Sequence, residues 1–352
     1  MRAFVKDGAG AGNAGVRTVA DPVPGRGQVV IAVRYAGLCH TDVSMLAWND
    51  AAAGGYRPTF PLVMGHEYTG TVAALGPGVT APAVGTRVVG SAHVTCGACA
   101  SCRGGRSMLC RDLAVLGLDV AGVFAEYAAV PARNLVPVPP DVPDRLAALA
   151  EPYAVAAHAV ATGAPTPGER VAVVGPGTVG LCATAAALAH APSEVSVFGT
   201  PADTRQSVLA ARLGATAITR PHGSAPGGAA EGTGDPEGAF DLVVEAAGHP
   251  DAVARALRLC RPGGRVITAG LPARPLSLDT AALARAEQTL TGVRAYDLGE
   301  WPAIPSALAA APTLIDLVTH TLSLRDVPHA ADLLSTRATI KTVIDPSRRG
   351  PE

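Results

Sequence analysis

The pattern of apolar and polar residues changes near residue 146. Before that point, short β-branched or aromatic runs such as QVVIAVRYAG and EYTGTVAALG are bounded by glycine and proline. Runs of this kind are typical of strands, so we expect residues 25 to 138 to form a compact, mostly antiparallel, barrel-like domain. Beyond it, an alanine-rich helical segment leads into apolar strands that alternate with helices, beginning with RVAVVG and TVGLCATAAALAHA. Because this alternation is typical of parallel sheets, we predict an α/β fold there.

The length of the chain fits two domains. It has 352 residues, whereas a single domain usually has about 100 to 200. Residues 221 to 238 are rich in glycine, proline and alanine, so we predict a loop there without regular structure.

The charge balance argues against two broad classes of partner. Lys and Arg number 28 against 29 Asp and Glu, so the chain has no basic field that would attract nucleic acid or an anionic membrane surface. No apolar run reaches the roughly 18 residues that span a bilayer, and the first residues, MRAFVKDGAGAGNAG, lack a long apolar core. We therefore expect a soluble, cytoplasmic protein that binds neither nucleic acid nor membrane.

Four of the seven cysteines crowd into one short segment. They are Cys96, Cys99, Cys102 and Cys110. Four thiolates this close in sequence can converge on one zinc ion. A disulfide framework is the alternative, but tight spacing in a long, apparently intracellular chain favours metal binding. Because four protein ligands leave no open coordination position, we expect this zinc to brace a lobe and take no part in catalysis.

The central segment contains a glycine motif, Gly175-Pro176-Gly177-Thr178-Val179-Gly180, which follows an apolar strand and opens a predicted helix. The first glycine permits a tight turn, the second lets the backbone approach a pyrophosphate, and the third allows close packing of helix on strand. The helix N-terminus would face the anion. A glycine turn without a ligand is the alternative, but the order of strand, motif and helix favours binding of NAD or NADP.

The end of the next predicted strand bears on the choice between NAD and NADP. NAD-binding units usually place a carboxylate there, which binds the ribose 2′-hydroxyl, whereas this chain has Phe198-Gly199-Thr200. Arg205 lies nearby and could neutralise a 2′-phosphate, or it could be a solvated helix charge. Asp203 could still turn inward. The pattern favours NADP slightly.

The N-terminal half offers ligands for a second metal ion. Cys39 lies in GLCHTD, His66 and Glu67 lie in GHE, and Glu151 follows much later, before a proline. A catalytic zinc needs a few protein ligands and one open position, and thiolate, imidazole and carboxylate are all suitable ligands. Taken singly, these residues could be a core cysteine, a turn histidine and two surface acids. Together with a dinucleotide-binding segment, they indicate a catalytic zinc.

The motifs GHEYTGTV, CGACASC, GVFAEYAAVP and VVGPGTVG resemble those of the zinc-containing medium-chain alcohol and polyol dehydrogenases, and the similarity extends over nearly the whole chain. The resemblance implies a GroES-like, β-rich catalytic domain made of residues 1–148 and 291–352. It implies a Rossmann domain, with a doubly wound parallel sheet, at residues 149–290. Because members of the family associate, it also implies a homodimer or homotetramer.

The same resemblance assigns roles near the catalytic zinc. It implies Cys39, His66 and Glu151 as ligands, with Glu151 standing where alcohol dehydrogenases place a second cysteine. That substitution resembles the ligand pattern of the sorbitol and threonine dehydrogenase branch. The resemblance to this branch implies that Glu67 lies next to the zinc and can exchange as a ligand with water or Glu151. Thr41 is implied as the first hydroxyl of a proton relay.

Three more residues gain expected roles in this way. The family places a basic residue near the cofactor pyrophosphate, here Lys341, and His40 would approach the same group, although both could be ordinary surface charges. Asp42 would orient a zinc ligand, because ligating imidazoles usually donate their other N–H to an acceptor.

The implied reaction is hydride transfer between a secondary alcohol, or its ketone, and NAD(P), with two zinc ions per chain. By position in the family, apolar residues would wall the substrate pocket: Met45, Trp48, Leu116 and Leu118. They favour a cyclic or partly apolar secondary alcohol over a simple open-chain polyol, and leave amino alcohols, aminocyclitols and sugars open. The alternatives are a zinc-free quinone-type reductase, a non-enzymatic structural relative of the same fold, and a zinc-binding interaction module.

Overall fold

A computed structural model describes residues 1–219, 236–272 and 274–349. The chain divides into two compact units. Unit 1 comprises Met1–Glu151 and Asp297–Glu352, and unit 2 comprises Pro152–Tyr296. The predicted boundaries, after residues 148 and 290, each lie a few residues before the boundaries between these two units. Most of the predicted loop at residues 221–238 lies outside the described residues.

Strands and helices are numbered here in chain order. The strands are β1 (Arg2–Lys6), β2 (Ala14–Thr18), β3 (Gln28–Gly37), β4 (Leu62–Val63), β5 (Glu67–Leu75), β6 (Arg87–Gly90), β7 (His93–Val94), β8 (Ala114–Val115), β9 (Tyr127–Pro131), β10 (Leu135–Pro137), β11 (Arg170–Val174), β12 (Glu194–Gly199), β13 (Thr216–Thr219), β14 (Phe240–Glu245), β15 (Cys260–Thr268), β16 (Thr289–Gly292), β17 (Val318–Leu322) and β18 (Lys341–Ile344). The α-helices are α1 (His40–Ala47), α2 (Asp50–Gly55), α3 (Ala100–Arg103), α4 (Asp144–Ala147), α5 (Ala150–Thr162), α6 (Thr178–Leu188), α7 (Thr204–Leu213), α8 (Pro250–Leu259), α9 (Thr280–Arg285), α10 (Ile304–Ala309) and α11 (Val327–Ser335).

The main sheet of unit 1 joins distant parts of the chain. Its strands follow the order β10–β6–β5–β3–β18–β17, and β9 also pairs with β3. All these pairs are antiparallel except β17 with β18. Gly37 at the end of β3 pairs with Glu67 of β5 and with Val343 of β18. The three strands therefore meet directly before Cys39, and the predicted β-rich, mostly antiparallel domain is confirmed.

Apolar side chains of these strands fill the core of unit 1. Val29, Ile31 and Val88 are fully buried, and Val72 is nearly so. β-branched side chains pack well on a pleated surface, which favours strands here. Burial of each such side chain contributes roughly 1.5–3 kcal/mol to the free energy of folding. This rigid sheet carries the chain segments that contain Cys39 and His66.

Unit 2 contains a six-stranded sheet in the order β13–β12–β11–β14–β15–β16. All of its pairs are parallel. Residues Val171 to Val174 of β11 are fully buried, as expected for a central strand covered on both faces. The strand order reverses between β11 and β14, and ligands of such sheets bind outside the carboxyl ends of the strands at that point. The predicted Rossmann fold is confirmed.

Among the helices of the described residues, none is both long and apolar enough to cross a membrane.

Candidate active site

The pairing of β3 with β5 brings Cys39, His66 and Glu67 together. Cys39 is the N-cap of α1 and follows shortly after β3. His66 directly precedes Glu67, the first residue of β5. One ligand atom of each residue lies within 4.8 Å of the others. These are the thiolate, imidazole and carboxylate ligand types of catalytic zinc sites.

Asp42, in the first turn of α1, contacts two of these residues. Its Oδ2 accepts a hydrogen bond from the Cys39 N–H at 2.9 Å, and its Oδ1 lies 3.3 Å from His66 Nδ1. Burial disfavours the charged imidazolium, but Asp42 and Cys39 outweigh this effect, so the pKa of His66 lies well above its usual value. Because Nδ1 faces Asp42, the other ring nitrogen of His66 is left for a metal ion.

Glu67 pairs with a buried lysine. Lys341 Nζ donates to Glu67 Oε1 at 2.6 Å and to the Leu38 carbonyl at 2.9 Å. Burial lowers the pKa of Lys341, but the charges of Glu67 and Cys39 reverse the shift, so this pKa is raised. Lys341 is only 2% exposed, so it is not the surface charge that the sequence allowed. Its ammonium donates to Glu67 and to Leu38, and the contact of Lys341 with the cofactor pyrophosphate stays a prediction.

Glu151 lies in the first turn of α5 and is buried. It is not part of the 4.8 Å group of Cys39, His66 and Glu67, but its charge interacts with two of them. Burial, and then the charge of Glu67, raise the pKa of Glu151 to about 7, against the charges of His66 and Lys341. Each carboxylate makes ionisation of the other harder. A divalent cation bound beside them would remove that cost, so the residues present fit a metal ion.

Two further predicted site residues open α1. Thr41 Oγ1 lies 3.7 Å from Cys39 Sγ, beside the predicted ligand, and its role in a proton relay stays a prediction. His40 is exposed at the first position of the helix. Its contact with the cofactor stays a prediction.

The four-cysteine loop forms a second group of candidate ligands. The Sγ atoms of its four residues lie within 4.8 Å of one another. Cys96 Sγ is 3.5 Å from Cys110 Sγ and 4.0 Å from Cys102 Sγ. Sulfurs arranged tetrahedrally at the usual zinc–sulfur distance lie about 3.8 Å apart. All four cysteines are free of disulfides, and their spacing fits one zinc ion.

Backbone N–H groups favour thiolates in this loop. Cys96 Sγ accepts hydrogen bonds from the N–H groups of Ala98 and Cys99 at 3.5 and 3.3 Å. The N–H of Cys102 lowers the pKa of Cys99 to about 6. Desolvation and the neighbouring thiols instead raise the pKa of Cys102 to about 11. Four thiolates this close need a cation before all can ionise, which is the chemistry of a structural zinc site.

The glycine motif links β11 to α6, as predicted. Gly175 has a left-handed φ of +98°, and a side chain there would press on the turn after β14. A side chain on Gly180 would overlap the Gly175 carbonyl oxygen, whereas nothing lies within 4 Å of the position a side chain would take on Gly177. Gly177 is the N-cap of α6. The open space beside it suits a pyrophosphate bound by the N–H groups of the first helical residues, Thr178 and Val179.

The end of β12 has no carboxylate directed at a ribose. Asp203 is buried, and its Oδ2 accepts hydrogen bonds from Thr200 N–H and Thr200 Oγ1, both at 2.7 Å. Asp203 thus turns back onto the residue that follows Gly199. Arg205 is exposed in the first turn of α7. Asp203, the first carboxylate after β12, is therefore engaged within this turn.

Sequence reasoning missed Glu245, the last residue of β14. It is fully buried, and its Oε1 accepts hydrogen bonds from the N–H groups of Ala247 and Gly248 at 2.7 and 2.8 Å. It thereby holds the turn that packs against Gly175. The signal in the sequence was an acidic residue that ends an apolar strand, FDLVVE, because a buried acid needs specific partners.

Comparison with known families identifies the class of protein. The alcohol dehydrogenase GroES-like domain matches residues 25–140, and the zinc-binding dehydrogenase domain matches residues 178–310. Because of these matches, and because a relative is 33% identical over 98% of this chain, the chain belongs to the zinc-containing alcohol dehydrogenases of the medium-chain dehydrogenase/reductase superfamily. It is an NAD(P)-dependent oxidoreductase that acts on alcohols, as the sequence predicted.

That relative is the L-threonine 3-dehydrogenase of Bacillus licheniformis, of which 99% is covered. Among solved structures, a zinc-binding dehydrogenase from Sinorhizobium meliloti bound to NADP is 27% identical, with a TM-score of 0.87, and 98% of this chain and 99% of that chain are covered. The alcohol dehydrogenase TADH from Thermus sp. is 28% identical, with a TM-score of 0.83 and the same coverage.

Proposed function

We propose that the protein transfers a hydride between a secondary alcohol, or its ketone, and NAD(P) at a zinc ion bound by Cys39, His66 and Glu151. The convergence of the Cys39 thiol and the His66 ring beside buried carboxylates carries this proposal. Zinc bound there would act as a Lewis acid toward the alcohol oxygen, and the nicotinamide would exchange the hydride.

Other residues near the proposed zinc would orient its ligands, accept the proton and supply a further ligand. Asp42 faces His66 Nδ1 and so would keep the other ring nitrogen directed at the metal. Thr41 Oγ1, beside Cys39, would accept the proton that leaves the alcohol while its own hydroxyl proton passes on to water. Glu67 would exchange with Glu151 as a ligand, since both carboxylates lie in this region and Lys341 balances the charge of Glu67.

A second zinc ion would bind the four cysteines and brace their lobe. The sulfur spacing and the N–H groups directed at Cys96 support this assignment. The proposed stoichiometry is therefore two zinc ions per chain, one catalytic and one structural.

The dinucleotide would bind at the glycine turn of unit 2, with a slight preference for NADP. The hydrogen bonds of Asp203 to Thr200 support this preference, because they occupy the nearest carboxylate after β12. Arg205 would then face the 2′-phosphate. Gly199 and Thr200 would contact the adenosine ribose, and His40 would approach the pyrophosphate.

The substrate would be a small secondary alcohol, with neither nucleic acid nor membrane as a partner. The identity to L-threonine 3-dehydrogenase favours an amino alcohol. The apolar residues Met45, Leu116 and Leu118 are buried in one cluster, with Trp48 packed against it, and they favour a cyclic or partly apolar alcohol. A polyol, cyclitol or sugar stays a further candidate. We place the protein in the cytoplasm. We propose that it forms a homodimer or homotetramer, and light scattering tests this oligomeric state.

The deciding experiment measures zinc per chain by elemental analysis in the wild type, Cys39→Ser and Cys99→Ser. It is combined with NAD- and NADP-linked oxidation of L-threonine, 2,3-butanediol and cyclohexanol. We expect two zinc ions in the wild type and one in each variant. Cys39→Ser should lose turnover and keep its fold, whereas Cys99→Ser should mainly lose thermal stability.

A wild type with one zinc ion per chain, a content that Cys39→Ser leaves unchanged, together with unchanged turnover, would overturn the catalytic assignment. Reduction of a quinone by the zinc-free protein would then favour the quinone-type reductase. A folded protein without turnover on any alcohol or quinone would favour the non-enzymatic relative.

A further inference from the structure

Residues 115–122 form a loop that packs directly on the segment before His66. A side chain on Gly117 or on Gly122 would overlap the Gly65 carbonyl oxygen, so backbone lies against backbone there. The N–H of Val123 donates to the same oxygen at 3.0 Å, and the N–H of Gly122 donates to Val63 at 2.8 Å. The position of this loop is therefore fixed relative to His66.

Residues 56–60 form a second loop, which is connected to the Cys39 side of the site. The ring of Phe60 lies 5.4 Å from the ring of Trp48, measured between centroids. Trp48 is the C-cap of α1, the helix whose N-cap is Cys39. This loop therefore contacts an aromatic side chain at the end of α1 opposite Cys39.

One carboxylate joins the two loops. Asp119 Oδ1 accepts a hydrogen bond from the Arg57 N–H at 2.7 Å, and Asp119 Oδ2 accepts one from the Val115 N–H at 2.9 Å. The Asp119 carbonyl also accepts from the Thr59 N–H at 3.4 Å. The two oxygens of the Asp119 side chain thus accept hydrogen bonds from N–H groups of different loops, and an amide in place of the carboxylate would turn a donor toward one of them.

The two loops contribute apolar side chains to one cluster. Leu116 and Leu118 come from the loop that contains Asp119, and Phe60 comes from the other loop. Met45 of α1 is fully buried in the same cluster. Asp119 thus connects two loops whose side chains pack in one cluster with Met45.

We infer that Asp119 is a positioning residue that sets the substrate range of the proposed alcohol site by holding these two loops together. The inference rests on the proposed function. A small alcohol needs few contacts other than the one with the metal. A larger alcohol would also contact side chains of both loops. Loss of the connection should therefore penalise large substrates selectively.

The test compares Asp119→Asn and Asp119→Ala with Asp141→Asn, a substitution at an exposed aspartate of unit 1. The ratio of kcat/KM for cyclohexanol to kcat/KM for 2-propanol should fall about tenfold in both Asp119 variants, by analogy with the cost of a lost charged hydrogen bond. The fall in this ratio should come from a higher KM for cyclohexanol. Zinc content and the Kd for NADP should equal those of the wild type, and the control should keep the wild-type ratio.

Hydrogen exchange provides a second measurement that does not require turnover. Amide exchange at both Arg57 and Val115 should rise in Asp119→Ala, since both N–H groups lose their acceptor. In Asp119→Asn it should rise at the N–H that faces the amide nitrogen. An unchanged substrate ratio in active variants would overturn the specificity role, and unchanged exchange would overturn the connection itself. A wild type without alcohol turnover would overturn the proposed function and with it the substrate role, while the exchange data would still decide whether Asp119 joins the loops.

Discussion

Gly37 lies against Glu67 so closely that a side chain on residue 37 would overlap Glu67 Oε2. The same side chain would come within 3.0 Å of Lys341 Cε. The absence of a side chain at the end of β3 is therefore what allows the buried Glu67–Lys341 pair to form beside Cys39. The register of β3 with β5, in which Gly37 pairs with Glu67, enforces the contact.

Gly37→Ala should destabilise the protein by about 1–3 kcal/mol, because overpacking forces buried neighbours to move. It should also lower the affinity of the Cys39 site for zinc, since Glu67 must shift. Urea unfolding and a zinc titration with a chromogenic chelator measure the two effects. Gly54→Ala is the control, because nothing lies within 4 Å of the position its side chain would take. Equal stability of the two variants would contradict the contact.

Lys341→Met should cost about 3–5 kcal/mol of unfolding free energy, because it leaves the buried carboxylate of Glu67 without its counter-ion. Glu67→Gln added to Lys341→Met should recover part of that loss, since the uncompensated charge is then gone. Urea unfolding of the wild type, Lys341→Met, Glu67→Gln and the double variant completes a double-mutant cycle. If Lys341→Met instead leaves stability unchanged and weakens NADP binding, Lys341 acts through the predicted contact with the cofactor and not through its pair with Glu67.

The sequence predicted the parts of the site that depend on local chain geometry. The four cysteines lie in one loop, so their spacing alone indicates convergence on a metal. The turn from Gly175 to Gly180 likewise depends on neighbouring residues, because its steric limits arise between the motif, the preceding strand and the following helix.

Contacts between distant residues could not be predicted in the same way. Glu67 and Lys341 are separated by 274 positions, and Arg57 and Asp119 by 62. Nothing in the residues around Lys341 distinguishes a buried lysine from an ordinary surface charge. The distinction depends on β18 lying next to β3, which is a property of the folded sheet.

Arg205→Ala should raise the Kd for NADP severalfold and leave the Kd for NAD nearly unchanged. The exposed guanidinium at the start of α7 has a phosphate to bind only in NADP, and Asp203 is turned toward Thr200. Fluorescence titration with each cofactor measures the two constants. Arg212→Ala, in the last turn of the same helix, is the control. An equal loss for both cofactors would reject a 2′-phosphate contact.

Asp241→Asn should destabilise the protein at pH 7 by about 1 kcal/mol, a value reduced for partial exposure. Burial raises the pKa of Asp241, but hydrogen bonds from the Arg170 N–H and the Arg261 guanidinium outweigh it, so this pKa is lowered. A depressed carboxyl pKa stabilises the fold above the unfolded value of about 4, and that stability is lost as pH falls through the folded pKa. In urea unfolding at stepped pH, the difference between wild type and variant should therefore shrink below about pH 5. The exposed Asp141→Asn control should show no such trend, and a difference for Asp241→Asn that stays constant down to pH 3 would show that the charge of Asp241 contributes nothing.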